Sequence, residues 1–188
     1  MDQRSSRCAV VADLDYHKHF PAGGVGKQYA WLLEVMSDAG FGAHSSILDY
    51  GCGQGGTALW LESLHPGTSI TRYDPYVPRY NNFRNQFYDW IYTADVLEHI
   101  PEGDLQNTIK IINSCARGRT DHIIDLDPAK KVLPDGRNAH VSLFAPDVWI
   151  GLFETKMTVL YSEVAEYPDK TRGTRRRLHI TATRGKKM

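Results

Sequence analysis

The sequence predicts an α/β fold, a doubly wound and mostly parallel sheet that closes with an antiparallel hairpin. Three observations predict it. Apolar runs of strand length alternate with stretches of helical period. A glycine-rich turn, GCGQGG at 51–56, stands between the first strand and its helix. Residues 155–188 change character, to period-2 alternation around a polar turn. At 188 residues the chain suits one well-cored domain better than two, so 1–188 reads as a single unit.

Tyr29, Leu32, Leu33 and Met36 follow i, i+3, i+4, i+7 spacing before Gly40, which predicts a leading helix over 26–39. Residues 46–50 read as the first strand and 55–64 as its helix. SITRYD, 69–74, is a second strand; DWIYTAD, 89–95, is a third and apolar enough to be central. Pro101 suits the first turn of a helix with the face Leu105, Ile109, Ile112 and Ala116, stopping at Gly118. DHIIDLD, 121–127, is the next buried strand. An irregular segment with Pro128, Pro134, Gly136 and Pro146 leads to a short helix around Val148–Phe153. KMTVLYSEVAEY and RRRLHITATR then form the hairpin at one edge. About fourteen residues separate Asp74 from Asp89, too few for a helix, strand and helix, so one edge strand is expected to be missing.

Twenty-two basic residues balance twenty-two acidic ones, which argues against a general nucleic-acid or acidic-lipid surface. The balance hides an asymmetry: from Pro168 onward eight basic residues meet one acid, Asp169. Three widely spaced cysteines, Cys8, Cys52 and Cys115, suit neither a disulfide framework nor a zinc ribbon. With no apolar leader or span in view, the expectation is a cytoplasmic protein.

Gly51, Gly53 and Gly56 satisfy G-x-G-x-x-G between strand and helix, and Asp74 ends the next strand, placed to accept both hydroxyls of a ribose. Both a dinucleotide and S-adenosylmethionine carry that ribose. Asp49 separates them. A pyrophosphate beside a partly desolvated carboxylate costs on the order of several kcal/mol, whereas the ammonium and sulfonium of S-adenosylmethionine are attracted to it.

With D-x-G-C-G-x-G after an apolar strand, an acid ending the second strand, and YDWIYTADVLEHIP, the chain resembles the class I S-adenosylmethionine-dependent methyltransferases over residues 45–127. LPDGRNAH further resembles a short phage and bacterial subgroup of unassigned substrate. The resemblance implies a Rossmann-like cofactor-binding core at 45–127, one edge strand short of the full class I core, and a reversed last strand in the hairpin at 155–188. It also implies S-adenosyl-L-methionine as cofactor, with Asp49, Gly51 and Gly53 around its methionine part and Cys52 and Gln54 of the same turn among the cofactor contacts. Asp74 would hold the ribose, Pro75 with Tyr76 would cover the adenine, and Asp95 would stand beside the methyl-transfer site.

Methyl transfer is an in-line displacement with an excellent leaving group, so positioning dominates. His99, after the central strand, and His140 are the candidate catalytic residues. Arg137, Asn138 and His140 of DGRNAH, within the substrate-side segment 128–154, are the candidate substrate contacts. No metal ligand is assigned: the alternating Asp13, Asp15, His17 and His19 read as part of an arm or lid at 1–25. GGVGKQ lacks the first glycine and the Ser/Thr of a P-loop. Arg175, Arg176 and Arg177 invite a nucleic-acid acceptor, but no base-stacking aromatic run accompanies them, and charges on an edge hairpin ordinarily guard against pairing. The expected reaction is methyl transfer to oxygen or nitrogen of a small polar acceptor. The alternatives are a nucleic-acid methyltransferase working through that basic edge, or a non-catalytic binder of S-adenosylmethionine.

Overall fold

The computed structural model describes residues 29–170 and 173–185. The predicted arm at 1–25, with Asp13, Asp15, His17 and His19, lies outside the described residues, as does GGVGKQ. In chain order the elements are α1 (Ala30–Asp38), β1 (Ile47–Tyr50), α2 (Gly56–Leu64), β2 (Ile70–Tyr73), β3 (Tyr88–Ala94), α3 (Glu102–Cys115), β4 (Ala116–Asp125), α4 (Pro146–Glu154), β5 (Met157–Asp169) and β6 (Gly173–Arg184). Single 3₁₀ turns occupy Pro78–Tyr80 and Leu97–His99.

The strands form one sheet in the order β2-β1-β3-β4-β6-β5. The first four are parallel, and the hairpin β5–β6 joins antiparallel to β4. Strand β2 is therefore an edge, and among the described residues no strand lies beyond it, where one was expected to be missing.

The alternation of side chains divides the core in two. Leu32, Val35, Met36, Ala58 and Leu61 of α1 and α2 pack on Ile47, Ile70, Trp90, Tyr92 and Ile123. On the opposite face α3 and α4 bring Leu105, Ile109, Ile112, Trp149 and Phe153 against Leu48, Tyr50, Ile91, Ile124, Leu178 and Ile180. Packing makes α3 a helix despite its sequence. EGDLQNTIKIINSC holds a glycine and several β-branched residues, each less favourable than alanine by roughly 0.4–1 kcal/mol. Burying Leu105, Ile109 and Ile112 returns about 1.5–3 kcal/mol apiece.

The end of α3 departs from the expectation. The helix stops at Cys115 and passes into β4 without a loop, so Ala116 is strand, and Gly118 is no helix stop. Tyr88 pairs with Ala116 but Trp90 with Arg119, which leaves one extra residue in β4. Gly118 sits in that bulge, where a Cβ would lie 2.7 Å from the carbonyl oxygen of Asp89. Polar ARGR lacks a strand pattern, and its partners on β3 and β6 recruit it.

Candidate active site at the carboxyl ends of the strands

The turn after β1 is built from backbone that only glycine adopts readily. Gly51, Gly53 and Gly55 have φ of 81°, 53° and 80°. A Cβ on Gly51 would also stand 2.5 Å from Cγ1 of Val96. Gly51→Ala is therefore expected to lower stability by about 2–4 kcal/mol, strain and overpacking together. In urea denaturation the Gly51→Ala/Val96→Ala double variant should regain the overpacking share, and a double variant no better than the single would rule that contact out.

The amides of this turn point inward. Gly51 and Cys52 both donate to the Tyr73 carbonyl, at 2.8 and 3.0 Å, and Gly55 donates to the Cys52 carbonyl at 2.8 Å. Gly53 donates to the Asp74 carboxylate at 2.9 Å. A phosphate-binding turn needs such N–H groups aimed at the ligand. Here protein oxygens take them.

Two buried carboxylates flank the same turn. Asp49 is 3% exposed and Asp74 is 2% exposed. Burial pushes the Asp49 carboxyl up to about 7; Tyr92 and Arg72 oppose the rise, and the charge of Asp74 adds to it. The Tyr92 hydroxyl lies beside Asp49 but outside good geometry, so Oδ2 of Asp49 has no hydrogen-bond partner among the described residues. Asp74 also accepts the Tyr76 N–H at 3.0 Å, which curls the Pro75 segment back over the turn. Arg79 clamps Gln54, donating to its backbone oxygen at 2.8 Å and its side-chain oxygen at 3.0 Å. Cys52 is buried, and burial raises its thiol far above the usual range, so it packs there as an inert small side chain.

At the ends of β3 and β4 lies a charged network that no local sequence signal reveals. Asp95 has φ 53°, an uncommon conformation for a residue with a side chain. Its carboxylate pairs with Arg177 at 3.2 Å and Arg175 at 3.6 Å. Arg175 also bonds Asp125, and Arg176 bonds Asp127 at 2.9 Å. Arg177 is buried, with the Tyr29 and Tyr167 rings 5.3 and 5.2 Å from its guanidinium carbon. The three arginines were expected to guard an outer edge. They stand instead on the inner strand of the hairpin, because β6 pairs with β4 and sets Arg177 opposite Asp125.

His99 and His140, forty-one positions apart, come together with ring centroids 4.8 Å apart and planes at 78°. Each ring is held by a carbonyl on Nδ1, Ala139 at 2.7 Å for His99 and Asp127 at 2.6 Å for His140. Glu98, fully buried between them and β4, accepts the Asp125 N–H at 3.2 Å. Asn138 knots its own loop, bonding Ala129 through both amide atoms and accepting the His140 N–H at 2.9 Å. Arg137 is exposed and pairs with Asp135.

A family model described as "Methyltransferase domain" matches residues 24–154. The chain belongs to the methyltransferase domain family. No curated protein sequence matches it. Solved structures resemble this methyltransferase domain at low identity. TehB from Haemophilus influenzae is 14% identical with a TM-score of 0.61, over 90% of this chain and 67% of that one. The 1,6-didemethyltoxoflavin-N1-methyltransferase of Burkholderia thailandensis, solved with its named ligand and S-adenosylhomocysteine, is 14% identical with a TM-score of 0.59, over 81% and 76%. The magnesium protoporphyrin IX methyltransferase of Synechocystis PCC 6803, solved with S-adenosylhomocysteine, is 17% identical with a TM-score of 0.58, over 83% and 81%. These likenesses establish the methyltransferase fold, with its mixed six-stranded sheet and antiparallel edge. Among the described residues no helix is long and apolar enough to cross a membrane.

Proposed function

We propose that this methyltransferase domain binds S-adenosyl-L-methionine over the 51–56 turn and passes its methyl group to an oxygen or nitrogen of a small polar acceptor. One observation carries the reading: the turn offers two buried carboxylates and turns its amides inward, which suits a cationic ligand and repels a pyrophosphate. Asp49 would face the ammonium and sulfonium charges. Asp74, which already ties Gly53 and Tyr76 together, would add the ribose hydroxyls, since each carboxylate oxygen accepts more than one hydrogen bond. Pro75 and Tyr76 would cover the adenine on the side where the sheet ends at β2.

The acceptor would lie against His99 and His140, beside Asp95 and in line with the methyl group. A sulfonium needs no activation as a leaving group, so holding the acceptor atom and excluding water supply most of the rate. Arg137, exposed at the tip of its loop, would meet an acidic group of the acceptor. A nucleic acid is disfavoured as acceptor: Arg175, Arg176 and Arg177 are each paired with an aspartate, which leaves little positive field for a phosphate backbone. The free thiols of Cys52 and Cys115 suit a reducing, cytoplasmic compartment.

The experiment is a screen of hydroxylated and aminated metabolites, nucleotides and nucleotide sugars with methyl-labelled S-adenosylmethionine. Label should enter one chemical class, with at least about a hundredfold loss of kcat in His140→Ala and little change in cofactor affinity. Binding of NAD in preference to S-adenosylmethionine would overturn the proposal. A bound cofactor with no turnover on any acceptor would favour a non-catalytic binder.

A further inference from the structure

The acids at the strand ends form two overlapping groups. Carboxylate oxygens of Asp95, Glu98 and Asp125 lie within 4.8 Å of one another, and so do the ligand atoms of Glu98, His99 and His140. The first group is matched by cations, since Arg175 pairs with both aspartates and Arg177 with Asp95. The second is built differently. A carbonyl oxygen can only accept, so the contacts to Ala139 and Asp127 place the ring protons of His99 and His140 on Nδ1 and the lone pairs of the neutral rings on Nε2. Metal-ligating histidines are held in this way, with the distal N–H on a carbonyl that fixes both tautomer and ring plane.

We propose that Glu98, His99 and His140 form a site for one divalent first-row transition metal, of which Zn²⁺ is the best match. The donor set selects the ion. Two imidazoles disfavour Mg²⁺ and Ca²⁺, which take oxygen ligands, and the absence of thiolate from the set disfavours Cu⁺. Two histidines and a carboxylate are also the three-ligand pattern of zinc sites that keep a coordination position open. The site is largely buried, with Glu98 fully enclosed and His140 only 6% exposed. Glu98-His99 and His140 are too far apart in sequence to form a ligand-spacing motif, and no metal was expected from the sequence.

The use of the open position rests on the methyl-transfer reading. An acceptor hydroxyl bound there loses its proton more readily, and its oxygen then attacks the methyl carbon. The O–C bond forms as the S–C bond breaks, neutral S-adenosylhomocysteine leaves, and one proton passes to solvent. The acceptor class so selected is an oxygen chelator, such as a vicinal diol or a hydroxyl beside a carboxylate or phosphate.

The test is equilibrium dialysis of the chelator-stripped full chain against Zn²⁺, with Mg²⁺ in parallel and metal content measured per chain. Co²⁺ absorption in the visible range gives a readout free of turnover. The expected result is one Zn²⁺ per chain, unmoved by excess Mg²⁺. Glu98→Gln, which keeps an oxygen for the Asp125 N–H, and His140→Ala should each weaken binding by at least about tenfold. His44→Ala, at an exposed histidine, should not. Absence of stoichiometric Zn²⁺, or binding undiminished in both site variants, would overturn the proposal. Zn²⁺ bound as expected without methyl transfer would leave the site standing and remove the acceptor reading. Methyl transfer unchanged after chelation, in a chain that takes up no Zn²⁺, would do the reverse.

Discussion

Asp49→Asn should weaken S-adenosylmethionine binding and, at the same time, stabilise the unliganded protein. The native carboxyl titrates near 7, against about 3.9 in an unfolded chain. Between those two values the native state holds a proton that the unfolded state has lost. Stability from this group is therefore fully present below about pH 4 and is lost as pH rises through 7. The accumulated cost is about 4 kcal/mol, a shift of roughly three units at 1.36 kcal/mol each. Asparagine has no charge to bury, so the variant should exceed its parent by a few kcal/mol in urea denaturation at pH 8 and converge on it near pH 4. Comparing the two proteins cancels other titrations, including that of buried His122, which burial holds neutral down to about 3.

Binding should move the opposite way. A cationic cofactor needs the charged carboxylate, so affinity in the parent should fall by up to about tenfold per unit as pH drops below 7, with proton release on binding. The variant should bind about 1–3 kcal/mol more weakly at pH 8 and show no such slope. Calorimetry in buffers of different ionisation enthalpy reads both effects. A parent whose affinity is flat from pH 5 to 8, or a variant that binds equally well, would remove Asp49 from the cofactor site.

Arg177→Met is the second large effect. Methionine keeps an apolar stem between the Tyr29 and Tyr167 rings but withdraws the cation that faces Asp95 at 3.2 Å. Exposed ion pairs contribute at most about 1 kcal/mol, but withdrawing the cation from a largely buried carboxylate costs about 3–5 kcal/mol. Arg175 still reaches Asp95 at 3.6 Å, so the loss should fall near 3 kcal/mol. Asp95→Asn on top of it should restore roughly half, since asparagine tolerates the positive φ and leaves no charge unmatched. A single variant within about 0.5 kcal/mol of the parent would show that this pair behaves as a surface contact.

Local chemistry made the glycine-turn side of the domain legible. Strand, glycine turn, helix and Asp74 follow one another within thirty residues, and each carries a signal that survives without its neighbours: apolar alternation, positive φ, an acid at a strand end. Even the shortened edge followed from the length of the segment between Asp74 and Asp89. The side that carries the arginines and histidines was not legible in the same way. Arg175, Arg176 and Arg177 looked like an outer edge because strand order within a sheet is a property of pairing, and nothing local says that β6 enters beside β4. The matching signal was present as DLD at 125–127 facing RRR at 175–177, but it gains meaning only in the antiparallel register that sets Asp125 against Arg177.

By itself the sequence determined the parallel α/β core and the glycine turn flanked by Asp49 and Asp74, since these depend on contacts between near neighbours in the chain. Tertiary structure alone decided three things: which acids are matched by arginine, that His99 and His140 meet beside Glu98, and that Gly118 relieves a bulge rather than ending a helix. Each joins residues separated by tens of positions, where burial and pairing geometry outweigh local propensity.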